Sequence, residues 1–265
     1  MDTIVFLGTG GGRFVMLTQK RATGGIRFNL GDTVIHADPG PGALVRCRQS
    51  QEWASKVTHL ITTHGHPDHC TDMNVMIEAM TSSATKKRGV LLASESVLSG
   101  VEDIEPCISS FHAENLAEKH LVKPGDEYEL GSVKFRATKA QHKDPSTFGF
   151  VLEYDGKKIA YTSDTEYFEG LAEEYKDIDI LIIGLLRSGN ERIKWHLCSE
   201  DVVNILNEVR PKLCVLTHFG MKSLEAGPEH EASKIQDETG VRTIAAKDGQ
   251  RVSLDEIAQS TLGSF

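Results

Sequence analysis

Hydrophobic residues along the chain alternate between short β-branched runs and longer stretches with helical spacing. The short runs predict strands at residues 3–7, 26–30, 33–37, 59–63, 90–93, 133–138, 149–154, 158–162, 178–183, 213–217 and 242–246. The longer stretches predict helices at residues 68–81, 167–175, 199–209 and 229–239. This alternation favours the α/β class. Because no linker rich in Pro, Gly and Ser divides the pattern, we expect residues 1–265 to form one domain.

Two segments of the chain repeat one design. Residues 28–38 and 152–164 each contain a strand, a tight polar turn and a second strand that closes on an aspartate. Each segment is followed by an apolar run that ends in Thr-His, at residues 60–64 and 213–218. We therefore expect two β-sheets that meet with a functional site along their shared edge.

The charge balance limits the partners of the chain. Its 38 acidic and 29 basic residues give a formal net charge of −9, whereas nonspecific binding of nucleic acid depends on clustered Lys and Arg. Extended nucleic-acid binding is therefore disfavoured. A small anionic substrate can still bind where metal ions locally reverse the field. The expected partner is a small molecule, and the sequence is compatible with a homodimer without requiring one.

The first residues, the length of the apolar runs and the cysteines indicate in which cellular compartment the protein is expected. The first residues lack the basic start and apolar core of a signal peptide, and no apolar run is long enough to cross a bilayer. The five cysteines include no Cys-x-x-Cys pair, which disfavours a disulfide framework or a zinc knuckle. We expect a cytoplasmic protein without a membrane segment.

The densest group of candidate metal ligands lies at residues 64–69, with the sequence HGHPDH. Imidazole nitrogens and carboxylate oxygens suit Zn²⁺, Mn²⁺ and Fe²⁺. In an extended segment His64 and His66 point the same way, whereas Asp68 and His69 begin the next helix and face a different direction. One short segment can thus serve two ions. The alternative, a solvated loop with coincidental histidines, is disfavoured because the segment joins an apolar strand to a helix.

These residues closely resemble the metal motif of the metallo-β-lactamase superfamily, and the similarity runs along nearly the whole chain. The resemblance implies a four-layer αββα sandwich, in which helices flank two mixed β-sheets. It also implies a hydrolase that uses a metal-activated water at a binuclear centre. We take Zn²⁺ as the first choice for both ions, with Mn²⁺ or Fe²⁺ also compatible with the ligand types.

Later motifs occur in the order that this resemblance implies: QHKD at residues 141–144, SDT at 163–165 and THFG at 217–220. The implied metal ligands are His64, His66, Asp68, His69, His142, Asp164 and His218. One ion would take the first two histidines of HGHPDH and the histidine of QHKD. The other would take the aspartate and the last histidine of HGHPDH with the histidine of THFG, and Asp164 would bridge both ions.

Plainer roles exist for several of these side chains. His142 alone fits an ordinary strand-end histidine, His218 a core histidine and Asp164 a helix cap. Their order after apolar runs nevertheless favours ligation. Asp38, in the segment ADPGPG, resembles the superfamily's buried aspartate that orients the histidine loop.

Two residues are candidates for proton transfer. Asp68 can accept the proton of the attacking water in addition to binding metal. His196, in the segment WHLCSED before a predicted helix, resembles the general acid of the ribonuclease Z-like branch. That branch normally places Glu after this histidine, and Leu197 stands here. A structural histidine held by the following helix is the alternative.

The opening FLGTGGGR at residues 6–13 is similar to ribonuclease Z-like and cyclic phosphodiesterase-like enzymes. A glycine-rich loop after the first strand also begins Rossmann folds, but here we expect another strand to follow rather than a helix. Between His142 and Asp164 only a strand pair fits. The chain therefore resembles this branch without the long basic arm by which ribonuclease Z binds tRNA.

The sequence thus predicts a metal-dependent phosphodiesterase that acts on a small or nucleotide-like substrate. Two other enzymes remain open: a ribonuclease Z-like RNA endonuclease, which would need a basic surface near the site, and a glyoxalase II-like thioesterase. The alternative that is not an enzyme is a metal-binding sensor module. Metal binding without turnover of any ester class would favour that alternative.

Overall fold

Two seven-stranded β-sheets form the centre of the structure, a computed structural model that describes residues 2–255. The first sheet contains β1 (Thr3–Gly8), β2 (Thr23–Leu30), β3 (Thr33–Ala37), β4 (His59–Thr62), β5 (Val90–Ala93), β6 (Glu118–Leu121) and β14 (Arg251–Ser253). The second contains β7 (Glu127–Leu130), β8 (Val133–Lys139), β9 (Phe148–Tyr154), β10 (Lys157–Tyr161), β11 (Ile180–Gly184), β12 (Leu213–Thr217) and β13 (Thr243–Ala245).

Helices lie outside the two sheets and in the loops at their edges. They are α1 (Gly12–Thr18), α2 (Ala43–Gln49), α3 (Pro67–Cys70), α4 (Met73–Met80), α5 (Glu95–Leu98), α6 (Ser110–Asn115), α7 (Ser199–Val209), α8 (Met221–Ala226) and α9 (Pro228–Thr239). Short 3₁₀ helices cover Ala54–Lys56 and Ala172–Tyr175. In the part of the chain that the structure describes, no helix is both long and apolar enough to span a membrane.

The two sheets share one pattern of antiparallel and parallel pairings, although the first sheet begins with β14, the last strand of the described chain. The first runs β14-β1-β2-β3-β4-β5-β6 and the second β7-β8-β9-β10-β11-β12-β13. In each, the first three pairings are antiparallel and the last three are parallel. The expectation of two similar halves is therefore confirmed. The proposed match between the two Thr-His runs, which end β4 and β12, is wrong by one strand. By position within its sheet, β4 corresponds to β11, and β12 corresponds to β5.

The inner faces of the sheets share one hydrophobic core. Phe28 of the first sheet meets Phe150 of the second edge to face, with ring centroids 6.0 Å apart. Alternate residues of one strand face opposite sides, so Ile182 joins this inner core whereas Leu181 packs outward under α7 and α9. On the other side, Leu60 and its neighbours pack under α2 and α4. These layers confirm the predicted αββα sandwich of two mixed sheets.

Two predicted helices differ from the structure. The helix expected at residues 68–81 is broken into α3 and α4, because Asp72 donates its backbone N–H to Pro39 O over 2.9 Å and leaves the helical path. Met73 and Met76 on α4 are fully buried, as expected for a core stripe. Of the helix expected at residues 167–175, only the 3₁₀ turn at its end forms.

The glycine-rich opening also differs from the prediction. A short helix, α1, follows it, where another strand was expected. The Rossmann alternative is still excluded, because β2 returns antiparallel to β1 and the parallel βαβ unit of that fold does not form.

Candidate metal centre

The candidate ligands lie at one edge of the two sheets, just beyond the carboxyl ends of their strands. The segment HGHPDH follows β4 and leads into α3, with Pro67 at the first turn of that helix. His142 follows β8, Asp164 follows β10 and His218 follows β12. Strands that run in the same direction end at the same edge, so residues distant in the sequence meet there.

The first group consists of His64, His66 and His142. His64 Nε2 lies 3.1 Å from His66 Nδ1, and His142 Nε2 lies 2.9 Å from the same His66 nitrogen. All three ligand atoms lie within 4.8 Å of one another. Three ring nitrogens therefore converge on one point, as a metal ion requires.

The second group consists of Asp68, His69 and His218. His69 Nε2 lies 3.2 Å from His218 Nε2, and Asp68 Oδ2 lies 3.7 Å and 3.5 Å from these two nitrogens. All three side chains are largely buried. This group provides two imidazoles and one carboxylate at a second point.

Asp164 lies between the two groups. Its Oδ2 is 3.7 Å from His142 Nε2 and 3.5 Å from His69 Nε2, and its Oδ1 is 3.1 Å from His218 Nε2. One carboxylate thus faces ligands of both groups. The structure brings together all seven side chains of the predicted ligand set, with Asp164 between the two groups; a bridging role for its carboxylate stays a prediction.

Hydrogen bonds behind the rings fix which nitrogen faces the centre. His69 Nδ1 lies 2.9 Å from Asp38 Oδ2, and His142 Nδ1 lies 2.9 Å from the backbone oxygen of Trp195. An Nδ1–H that donates to such an oxygen leaves Nε2 with a free lone pair for a metal ion. Asp38 also accepts hydrogen bonds from the N–H and hydroxyl of Thr63, at 2.8 Å and 2.9 Å. Asp38 therefore holds Thr63, just before the HGHPDH segment, and His69 at its end; its role in orienting metal ligands stays a prediction.

Burial keeps the histidines of the first group neutral. It lowers the pKa of His66 to about 4, and it lowers the pKa values of His64 and His142 below their ordinary value. A neutral imidazole is the form that binds metal. The first group is therefore ready to accept an ion at neutral pH.

Three carboxylates around His69 favour a positive charge on its ring. Burial alone would lower the pKa of His69, but Asp164, Asp68 and Asp38 together raise it well above its ordinary value. Burial alone would raise the pKa of Asp164, but His218 and His69 hold it well below its ordinary value. In the metal-free protein a proton on His69 supplies the positive charge that a divalent ion would otherwise bring.

One buried atom tests whether a metal ion fits this centre. Asp164 Oδ1 is buried and makes no hydrogen bond, although His218 Nε2 lies close to it. Native proteins rarely leave such an oxygen without a partner. A divalent ion held by the surrounding nitrogen and carboxylate ligands would satisfy it, so the donor set fits the metal that the superfamily implies.

His196 also lies at the centre, beside Asp164 and His218, although it belongs to neither of the two ligand groups. Its Nδ1 is 3.7 Å from Asp164 Oδ2, and its ring stacks on that of His218 with centroids 5.9 Å apart. Burial lowers the pKa of His196 to about 4, so its imidazole is neutral at pH 7 and carries one N–H. His196 is 18% exposed and lines the cavity beside the metal ligands. The structure therefore places it beside the candidate metal ligands; its role as a general acid stays a prediction.

The cavity over the centre has a volume of about 500 Å³. Its floor includes His66, Asp68, His142, Asp164 and His196. Its other charged lining residues are Arg13, Lys143, Arg187 and Lys194. Among the described residues that line it, the only carboxylates are those of the candidate metal ligands. The entrance to the centre is therefore locally basic, although the chain carries a formal net charge of −9.

Sequence reasoning missed three carboxylates that hold the loops of this site. Asp144, fully buried, accepts the Gly65 N–H over 2.9 Å and so fixes the loop between the first two histidines. Glu166 accepts the Trp195 N–H over 2.8 Å, and Asp248 accepts the Thr9 N–H over 2.9 Å. Only Asp144 gave a signal in the sequence, because it closes the QHKD motif; the other two lie in segments without a motif.

Comparison with known proteins agrees with this geometry. A model of the Beta-lactamase superfamily domain matches residues 33–219, which contain every side chain of the two ligand groups. Uncharacterized protein MJ1374 of Methanocaldococcus jannaschii is 42% identical over 253 residues, covering 95% of this chain and 94% of that protein. The chain therefore belongs to the metallo-β-lactamase superfamily.

More distant matches carry descriptive names. A UPF0173 metal-dependent hydrolase of Staphylococcus carnosus is 25% identical over 214 residues, covering 76% of this chain and 83% of that protein. The crystal structure of a diphosphatase from the PhnP family superposes with a TM-score of 0.71 at 16% identity, covering 96% of this chain and 98% of that chain. At this identity the second match shows that the two proteins share the fold.

Proposed function

We propose that the protein is a metal-dependent hydrolase that cleaves phosphodiesters of small or nucleotide-like molecules at a binuclear centre, with Zn²⁺ as the expected metal. The observation that carries this proposal is the convergence of seven candidate ligand side chains at one centre, four of which line a cavity whose remaining charged residues are basic. Cationic walls favour an anionic ester over a neutral one. The metal-dependent hydrolase among the relatives supports the general class.

Different residues of this chain would carry out the separate proton transfers of the reaction. Bound metal ions would lower the pKa of a water molecule and polarise the phosphoryl oxygen. Asp68 would accept the proton of the attacking water, and the Gly12 N–H, which donates to its Oδ2 over 2.9 Å, holds that carboxylate in place. His196, beside Asp164 and facing the cavity, would act as general acid in its imidazolium form, which a bound anionic phosphodiester favours, and would return to neutral imidazole when it passes the proton to the departing oxygen.

The proposal is tested by hydrolysis of bis(p-nitrophenyl) phosphate. We expect purified protein to lose this activity when a chelator removes its metal and to regain it with Zn²⁺ or Mn²⁺. Turnover of a thioester but not of the phosphodiester would contradict the proposal and indicate a glyoxalase II-like enzyme. Metal binding without turnover of either ester would indicate a sensor module.

His196 is tested by varying the leaving group. A general acid contributes about 10²–10⁴-fold, but mainly when the leaving oxygen needs a proton. We therefore expect His196→Ala to lower kcat/KM about 10²-fold or more for an alkyl leaving group, and much less for p-nitrophenolate. An equal loss with both leaving groups would assign His196 a positioning role. His196→Gln, which retains a hydrogen-bond donor, is the conservative control.

RNA cleavage is the second candidate, and the basic cavity wall favours it. Against it, the interval between His142 and Asp164 holds only the hairpin β9–β10, whose strands pair directly from Lys157↔Tyr154 onward. A tRNA-binding arm therefore has no place in that interval. Cleavage of a precursor tRNA at its 3′ end, with no activity on small diesters, would favour this candidate over the proposed one.

A further inference from the structure

Helix α1 presents an apolar face to solvent beside the metal centre. Phe14 and Leu17 are each 75% exposed, more than any other large hydrophobic side chain that the structure describes. Residues three apart lie on the same side of a helix, so these two form one surface. Both line the cavity that contains His66 and Asp68. The most exposed apolar surface of the described chain is therefore continuous with the candidate active site.

The helix is held in this position at its start and in its middle. At its start, Gly12 donates to Asp68 Oδ2 and Gly11 donates to the backbone oxygen of Phe219 over 3.1 Å. Val15 anchors the middle in the protein and is fully buried. At the end, the chain turns at Gln19, which has a left-handed φ of 48°. The exposed face is thus fixed relative to the metal ligands, as a binding surface requires.

A second apolar part of the cavity lining comes from the loop before α7. Ile193 is 37% exposed, and Trp195 carries Lys194 Nζ over its ring at 4.2 Å from the centroid. The cavity therefore combines three chemical features: metal ligands on its floor, apolar groups on its walls and cationic side chains among them. An anionic ester with a flat apolar substituent complements all three.

We propose that α1 is a specificity element that binds the aromatic substituent of the substrate, with a nucleobase as the best match, while the phosphate lies at the metal centre. This inference rests on the proposed function and names its substrate class: a phosphodiester that carries an aromatic group. Phe14 supplies a ring on which such a group can stack, and Leu17 extends the contact by one helical turn.

Binding of thymidine 5′-monophosphate tests the inference without requiring turnover. Calorimetry on Zn²⁺-loaded protein compares it with 2-deoxyribose 5-phosphate, which lacks the base. Stacking of a base on an aromatic side chain raises the binding affinity by a factor of about 5–150. We expect the nucleotide to bind tighter by a factor in this range, Phe14→Ala to abolish most of the difference and Phe14→Trp to retain it. The matched control is Phe111→Ala, which removes an exposed phenylalanine of α6 and should leave both affinities unchanged.

Kinetics separates this inference from the function on which it rests. For thymidine 5′-(p-nitrophenyl phosphate), we expect Phe14→Ala and Leu17→Ala to raise KM with little change in kcat. Base-dependent binding without turnover would overturn the hydrolase proposal and leave α1 as a nucleotide-binding surface. Equal affinity for the two ligands in the wild type would overturn the inference itself. So would a wild-type dimer that Phe14→Ala converts to a monomer in sedimentation velocity, because α1 would then be a subunit interface.

Discussion

Asp164→Asn is expected to lower phosphodiester turnover by roughly 10³-fold or more and to reduce the bound metal from the proposed two ions per chain to one or none. The carboxylate of Asp164 faces ligands of both groups, and its Oδ1 has no hydrogen-bond partner. Asparagine has the same shape but offers one oxygen and an amide that repels a cation. Lewis-acid catalysis by metal supplies several kcal/mol, and each 1.36 kcal/mol is a factor of ten in rate.

Metal content by mass spectrometry and turnover in excess Zn²⁺ together measure this effect. Asp237→Asn removes the same charge from the exposed surface of α9 and should change neither quantity. Circular dichroism checks that the Asp164→Asn variant is folded. Full turnover in a folded variant that retains two ions would contradict the assignment of Asp164 as the bridging ligand.

Asp38→Ala is expected to cost about 3–5 kcal/mol of unfolding free energy in the metal-free protein. Asp38 is 3% exposed, and its carboxylate pairs with His69, whose pKa is raised, and with both donors of Thr63. Removing Asp38 takes one of three carboxylates from His69 and leaves both buried donors of Thr63 without this acceptor, and breaking a buried network of this kind at one partner costs about this much. Urea unfolding of the wild type and the variant measures the difference.

A matched control separates this hydrogen-bond network from backbone strain. Asp38 has a left-handed φ of 50°, a conformation that aspartate tolerates better than alanine. Asp155, in the exposed turn between β9 and β10, has a φ of 48° and bonds to no buried group. Asp155→Ala should therefore cost only the backbone term, about 1–2 kcal/mol. If both variants lose the same stability, the buried network contributes nothing.

The fold could be predicted from the sequence where local patterns specified it. The two hairpins β2–β3 and β9–β10 carried tight polar turns between apolar runs, and both form with two-residue turns. The edge strand β6 was missed because it contains the polar sequence EKHL, and such a strand is stabilised by its partner rather than by its own apolar face. The break between α3 and α4 was missed because it depends on a contact between Asp72 and Pro39, which lie far apart in the sequence.

The candidate site could be predicted as far as its ligands, because they lie in short motifs in a fixed order. Several of the groups that hold these ligands in place could not be predicted in the same way, because they do not lie in motifs. Trp195 provides a backbone oxygen to His142 with a left-handed φ of 75°, and any residue type has such an oxygen. The basic wall of the cavity was also hidden, because its four cations come from three segments of an acidic chain.

The position of β14 has a consequence for synthesis of the protein. This strand comes last in the described chain, yet it pairs with β1, which is made first. Just before it, Asp248 holds Thr9 and Ala22 on either side of the glycine-rich loop and α1. The ribosome synthesises the amino-terminal half first. Until Asp248 and β14 have been made, that half has an unpaired sheet edge at β1 and an unanchored glycine-rich loop. A nascent or truncated chain that stops just before Asp248 would therefore carry all seven candidate metal ligands without the contacts that hold the glycine-rich loop beside them.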